Sequence, residues 1–159
     1  MDTARVVRLV TRPRAVTTRV TRFHAAVLRA ARGRVKRSLL LGGGQPVLSL
    51  ETVGRRSGIR RSTAVAYLRD RDGWAIFGMN LGSESDPAWS RNLEARQDAV
   101  ITVDGRSVPV TARRVHGSEA ERLWRLYAER LPAVERFRAI AGREIPAWLL
   151  EERSGPPEG

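Results

Sequence analysis

Residues 47–53 read VLSLETV, with apolar Val47, Leu48, Leu50 and Val53 set among Ser49, Glu51 and Thr52. A short, partly alternating run of this kind predicts a strand. Residues 62–68 (STAVAYL) predict a second strand and 74–79 (WAIFGM) a third, with RDRDG as the turn between them. Asp86-Pro87 has the form of an N-cap followed by proline at the first helical position, and predicts a short helix to about Ala95. Residues 100–103 and 107–115 flank Asp104-Gly105, a hairpin signal. Ser118 and Glu121 stand at capping-box spacing for a helix through Arg130, and Pro132 restarts a helix to about Ala141. The segment IPAWLLE, 145–151, predicts the last strand, and RSGPPEG a frayed tail.

Ahead of the strands the pattern changes. Val16, Val20, Phe23, Val27 and Ala30 or Ala31 recur at helical spacing, with Pro13 before them and Gly33 after. Threonines and arginines fill the other face. LGGGQP, 41–46, reads as a linker, since it has neither a GxGxxG pattern nor a GK[ST] ending. The whole is about six strands, one helix inserted mid-chain and two helices before the last strand. Short turns favour antiparallel pairing, so the expected fold class is α+β, predominantly β: a small closed or split barrel with helices outside. The expected divisions are a basic helical arm at 1–38, a barrel domain at 39–152 and a tail at 153–159.

Charge sharpens the division. The 159 residues carry 29 Lys and Arg against 17 Asp and Glu, a net charge of +12. Residues 1–37 hold ten arginines and Lys36 against Asp2 alone, which leaves the remainder near neutral. The arm reads either as a helix packed on the body with a solvated basic face or as a peripheral contact of residues 14–37 with an anionic membrane. A near-neutral body without a basic, aromatic-lined stripe argues against nucleic acid. There is no cysteine, which excludes disulfides and thiolate chemistry, and His24 with His116 are too few for a histidine metal site. No apolar run is long enough to span a membrane, and arginines interrupt every apolar run before residue 38. The expected location is cytoplasmic, peripheral at most to the inner face of the cell membrane. The expected state is monomer or homodimer.

Two segments carry candidate chemistry. TVGRRSGIRRS, 52–62, places Arg55, Arg56, Arg60 and Arg61 in a glycine-containing strand-to-strand loop, more arginine than a hairpin turn needs. Arginine forks match phosphate and carboxylate geometry, so the loop reads as an anion site or as a solvated basic turn. GMNLGSESDPAWSRNL, 78–93, couples a small-residue loop to a helix start, with Trp89 and Asn92 on one helix face. The plainer alternative there is that Trp89 and Leu93 enter the core while Asn92 ties down a loop.

GRRSGxxR (54–61) followed about 25 residues on by NxGxxxxPAWxxNL (80–93) resembles the deazaflavin-dependent nitroreductase family, small split-barrel proteins that use coenzyme F420. The resemblance extends from about Leu39 to Glu151 and includes REIP, 143–146. It implies an F420H2-dependent reductase on an FMN-binding split-barrel-like fold. The cofactor's phosphate and acidic tail would fall to Arg55, Arg56, Ser57, Gly58 and Arg61, with Arg60 at a variable position. Asn80, Gly82, Ser83, Pro87, Trp89 and Asn92 would line the cofactor, and backbone at 64–66 and 77–79, hence Ala64, Val65 and Met79, would reach the ring. Leu131, Val134 and Phe137 occupy the stretch where some members place tyrosines, and so mark the acceptor pocket without offering a proton donor. Tyr127 is the candidate donor, at a spacing from Leu123 and Arg130 that equally suits a packed helix tyrosine. The implied acceptors are quinones, activated alkenes or nitroaromatics. The rival readings are an FMN-binding split-barrel reductase and a non-catalytic cofactor- or membrane-binding protein.

Overall fold

The computed structural model describes residues 44–71 and 73–155. The amphipathic arm, most of the linker, the expected boundary at 38/39 and the end of the tail lie outside the described residues. Six strands appear: β1 Val47–Val53, β2 Arg60–Asp70, β3 Gly73–Phe77, β4 Asp98–Val103, β5 Arg106–Val115 and β6 Ala147–Glu152. Three α-helices and a 3-10 turn at Asn80–Gly82 accompany them among the described residues: α1 Ala88–Ala95, α2 Gly117–Arg130 and α3 Ala133–Ala141. The strands close in the order β1-β2-β3-β6-β5-β4, and every pairing is antiparallel. This is the six-stranded barrel expected, with no parallel pair.

Side-chain alternation sorts the strands into two cores. Leu48, Leu50, Val65, Ile76, Ile101, Val110, Trp148 and Leu150 fill the barrel interior. Leu68, Ala75, Phe77, Ala147 and Leu149 point outward, under Leu123, Trp124 and Tyr127 of α2 and Val134 of α3. Strand β3 is therefore buried on both faces, which explains why GWAIF is apolar throughout. Trp89 and Leu93 of α1 join the interior cluster.

Two expected caps take other forms. Asp86 does not cap α1: Pro87 is the N-cap residue, without a side-chain bond, and the Asp86 carboxylate is held by Arg143 instead. Ser118 and Glu121 form no capping box either. The α2 N-cap is His116, also without a side-chain bond, and Glu121 is drawn to Arg138 of α3 at 2.6 Å. In both cases an arginine offers the carboxylate a stronger, charge-assisted partner than a backbone N–H.

Candidate functional site

The loop between β1 and β2 is a closed turn of backbone. Gly54 N–H donates to Ile59 O at 2.8 Å, and Gly58 N–H donates to Gly54 O at 2.7 Å. Gly58 sits at φ +68°, in the left-handed region that favours glycine. Ser57 Oγ accepts from Ile59 N–H at 3.3 Å, so its hydroxyl serves the turn. The four arginines separate by what already holds them. Arg60 is engaged by Glu51 at 2.9 Å, and Arg55 by Asn92. Arg56 and Arg61 are exposed, and their side chains have no hydrogen bond or ion pair among the described residues.

Asn92 joins this loop to α1. Its Oδ1 accepts from Arg55 N–H at 3.2 Å and from Arg55 Nη1 at 3.4 Å, while its Nδ2 donates to Thr52 Oγ1 at 3.1 Å. Asn92 and Thr52 are both buried, so the bonds are made away from water, where leaving them unmade would cost most. The other candidate segment starts the same helix. Pro87 precedes Asn92 by five residues, about 7.5 Å along a helix axis. The arginine loop and the 78–87 loop thus flank one short helix.

The 78–87 loop turns through Asn80 at φ 47° and Leu81 at φ 56°. Asn80 Nδ2 donates to Ser85 O at 2.9 Å. Gly78 has no room for a side chain: a Cβ there would lie 2.6 Å from Pro146 Cγ. Gly82, at φ +79°, is pressed against Ile140 and the Phe137 carbonyl of α3. Arg143, the first residue of REIP, passes into this loop from beyond α3. Its approach to several carbonyls at once could not have been read from the chain.

Beside these loops the barrel wall opens. Strand β2 pairs with β1 from Arg60 to Ala66, but with β3 only from Tyr67 to Asp70. Tyr67 N–H donates to Pro46 O, so the antiparallel alternation turns the Ala64 and Ala66 amides to the edge away from β1. Before Tyr67, no strand among the described residues pairs with that edge. Ala66 and Met79 pack against the outer core cluster. The small side chains at Ala64 and Ala66 leave that face low.

Other candidate residues lie elsewhere. Val65 points into the barrel, and Trp89 is buried in the same interior cluster, so neither presents its side chain to a ligand. Leu131 and Val134 belong to the outer core, while Phe137 is half-buried, with its main-chain carbonyl beside Gly82. Tyr127 stacks on Phe77 with ring centroids 5.0 Å apart. Its hydroxyl is buried with no hydrogen-bond partner among the described residues, and burial pushes its pKa up. A hydroxyl so placed reaches no acceptor. Tyr127→Phe should therefore retain stability and any hydride-transfer rate; a loss of rate beyond tenfold would restore Tyr127 as a proton donor. A separate cavity of about 360 Å³ lies between α2 and the 144–147 segment, floored by Phe77, Trp124 and Ala147. No helix among the described residues is long and apolar enough to cross a membrane.

A closed six-stranded antiparallel barrel with helices packed outside is the fold of the split-barrel F420-dependent reductases. Comparison with known proteins agrees. The family model described as F420H2-dependent quinone reductase matches residues 20–152, and the chain belongs to that family. That span also enters the basic arm. The chain is 31% identical over 143 residues to an F420H2-dependent quinone reductase of Mycobacterium tuberculosis strain H37Rv, covering 88% of this chain and 95% of that one. Among solved structures, an F420H2-dependent reductase (FDR-A) superposes with a TM-score of 0.61 at 25% identity, covering 67% of this chain and 94% of that one. A domain-swapped dimer superposes with a TM-score of 0.63 at 22% identity, covering 81% and 96%, and shares the fold.

Proposed function

We propose that this chain is a reductase that binds coenzyme F420 and passes a hydride from its reduced form to a quinone. The observation that carries the reading is the pair of exposed guanidinium groups without a partner among the described residues, Arg56 and Arg61, on a loop that Asn92 fixes beside α1. Exposed forked cations on a rigid turn suit a phosphate and a carboxylate tail. The fit extends to the ring, for which the Ala64 N–H and C=O and the Ala66 N–H are turned to a stretch of β2 edge that no strand among the described residues covers. When bound, the reduced deazaflavin supplies the hydride. The protein's part is to hold the tail with Arg55, Arg56 and Arg61, to seat the ring against Ala64, Ala66 and Met79, and to exclude water with α3. Asn80, Gly82, Ser83 and Pro87 shape the second wall, Trp89 supports it from the core, and Phe137 faces the acceptor. With Tyr127 buried, the proton that completes quinone reduction comes from solvent.

Quinone is favoured over an activated alkene or nitroaromatic by the family and by its relatives' names. FMN is the rival cofactor. We propose further that residues 14–37 contact an anionic membrane surface, which their arginine content supports, and that the protein is a monomer or a homodimer. One experiment tests the core of the reading. Reduced F420 is mixed with the protein and, separately, a naphthoquinone, a cyclohexenone or a nitroarene, and the fluorescence of reoxidised deazaflavin is followed. We expect fast turnover with the quinone and none when FMN replaces F420. No turnover with any acceptor, despite F420 binding, would leave a cofactor-binding protein without this activity.

A further inference from the structure

Arg143 lies just past α3, outside both segments that carry the arginine and helix-start motifs, yet it holds one of them together. Its Nη2 donates to Gly78 O at 2.9 Å, Met79 O at 3.4 Å and Ser85 O at 3.2 Å, and its Nε donates to Ser83 O at 3.0 Å. Its Nη1 donates to the Asp86 carboxylate and to Glu144 O. The side chain is 16% exposed, so these bonds are largely shielded from water. The loop they gather passes through left-handed Asn80 and Leu81, a conformation that L side chains adopt at a cost. Local bonds hold part of this shape, from Asn80 Nδ2 to Ser85 O and from Ser83 N–H to Asn80 O. The loop's carbonyls converge on one flat, five-donor cation.

We propose that Arg143 is a positioning residue for the cofactor: it sets the shape of the 78–86 loop, and through it the affinity for F420, without touching cofactor or acceptor. This rests on the reading that the loop forms one wall of the F420 site. The contacts to the loop run through main-chain oxygens, apart from the Asp86 pair, so the loop's own side chains do not encode them. Lysine cannot replace the group, because a single ammonium cannot reach carbonyls spread around a planar fork.

The test compares wild type, Arg143→Lys and Arg143→Ala by three measurements: thermal melting, amide hydrogen exchange without cofactor, and F420 affinity by fluorescence titration. Arg143→Lys should melt cooperatively while its 79–86 amides exchange at least tenfold faster and β1, β4 and β5 exchange as in wild type. Its F420 Kd should rise about tenfold, with the quinone KM changed less than twofold. Added guanidinium ion should recover part of the lost affinity in Arg143→Ala. If Arg143→Ala fails to fold, the lysine variant carries the test alone. Unchanged loop exchange, or faster exchange with an unchanged F420 Kd, would overturn the positioning role. Wild type failing to bind F420 would instead overturn the proposed function, and the cofactor-free exchange data separate the two failures.

Discussion

Replacing Arg56 and Arg61 together by alanine is expected to weaken F420 binding about a hundredfold while leaving the melting temperature unchanged. Both guanidinium groups are exposed and have no partner among the described residues, so no contact among those residues is lost when they go. A charge-assisted bond to an anionic oxygen contributes about 1.5–3 kcal/mol in a shielded site. Solvent screening reduces that at an exposed loop, and about 1.4 kcal/mol per arginine already corresponds to tenfold each. The affinity should also fall with rising salt in wild type, and less steeply in the double variant. Arg60→Ala serves as the control. Arg60 is occupied by Glu51, so its removal should change the Kd less than twofold. Titration of oxidised F420 against each variant reads all of this. Equal loss in Arg60→Ala would mean that the loop acts by bulk charge, and equal affinity in the double variant would remove the anion site.

What made the barrel legible in the chain was local chemistry. Asp104-Gly105 marks its hairpin, and both residues take positive φ in the turn. VLSLETV alternates because one face of β1 enters the core, and its bounds coincide with those expected. The strand ends were less legible: β2 runs two residues further at each end than STAVAYL suggests, since pairing to β1 carries it into the arginines and pairing to β3 carries it to Asp70. The helix caps misled for a different reason. Asp86 and Glu121 have the right spacing, but distant arginines compete for them across the fold.

The site divides along the same line. The two motifs were visible because each is contiguous, and the likeness to deazaflavin reductases rested on their order. What Asn92 and Arg143 do was not visible, because their partners lie far along the chain: Thr52 for one, and the 78–86 carbonyls for the other. The plainer reading of α1 was correct for packing: Trp89 and Leu93 are core, and Asn92 ties down a loop. That loop is the arginine loop, so the structural role of Asn92 serves the site.

The same helix is tied to the barrel interior, and there the largest change in stability is expected. Trp148 is 1% exposed inside the barrel, and its Nε1–H donates to Ser90 Oγ at 2.9 Å. Trp148→Ala should cost about 3–5 kcal/mol, from lost burial and the cavity left behind. Against the roughly 5–15 kcal/mol that holds a domain together, the variant would be close to unfolding. Trp148→Phe separates packing from the hydrogen bond. It keeps most of the ring volume but leaves the buried Ser90 hydroxyl without its donor, at about 1–3 kcal/mol. Ser90→Ala added to Trp148→Phe removes both partners, and the double-mutant cycle should show a coupling of about 1 kcal/mol by denaturant unfolding. F420 affinity should move less than threefold in Trp148→Phe, because Asn92 keeps its bonds to Thr52 and Arg55 on another face of α1. A coupling near zero would mean that shape alone seats α1 on the barrel. A tenfold loss of affinity would mean that the helix is held at Ser90 more than at Asn92, and that the arginine loop follows it.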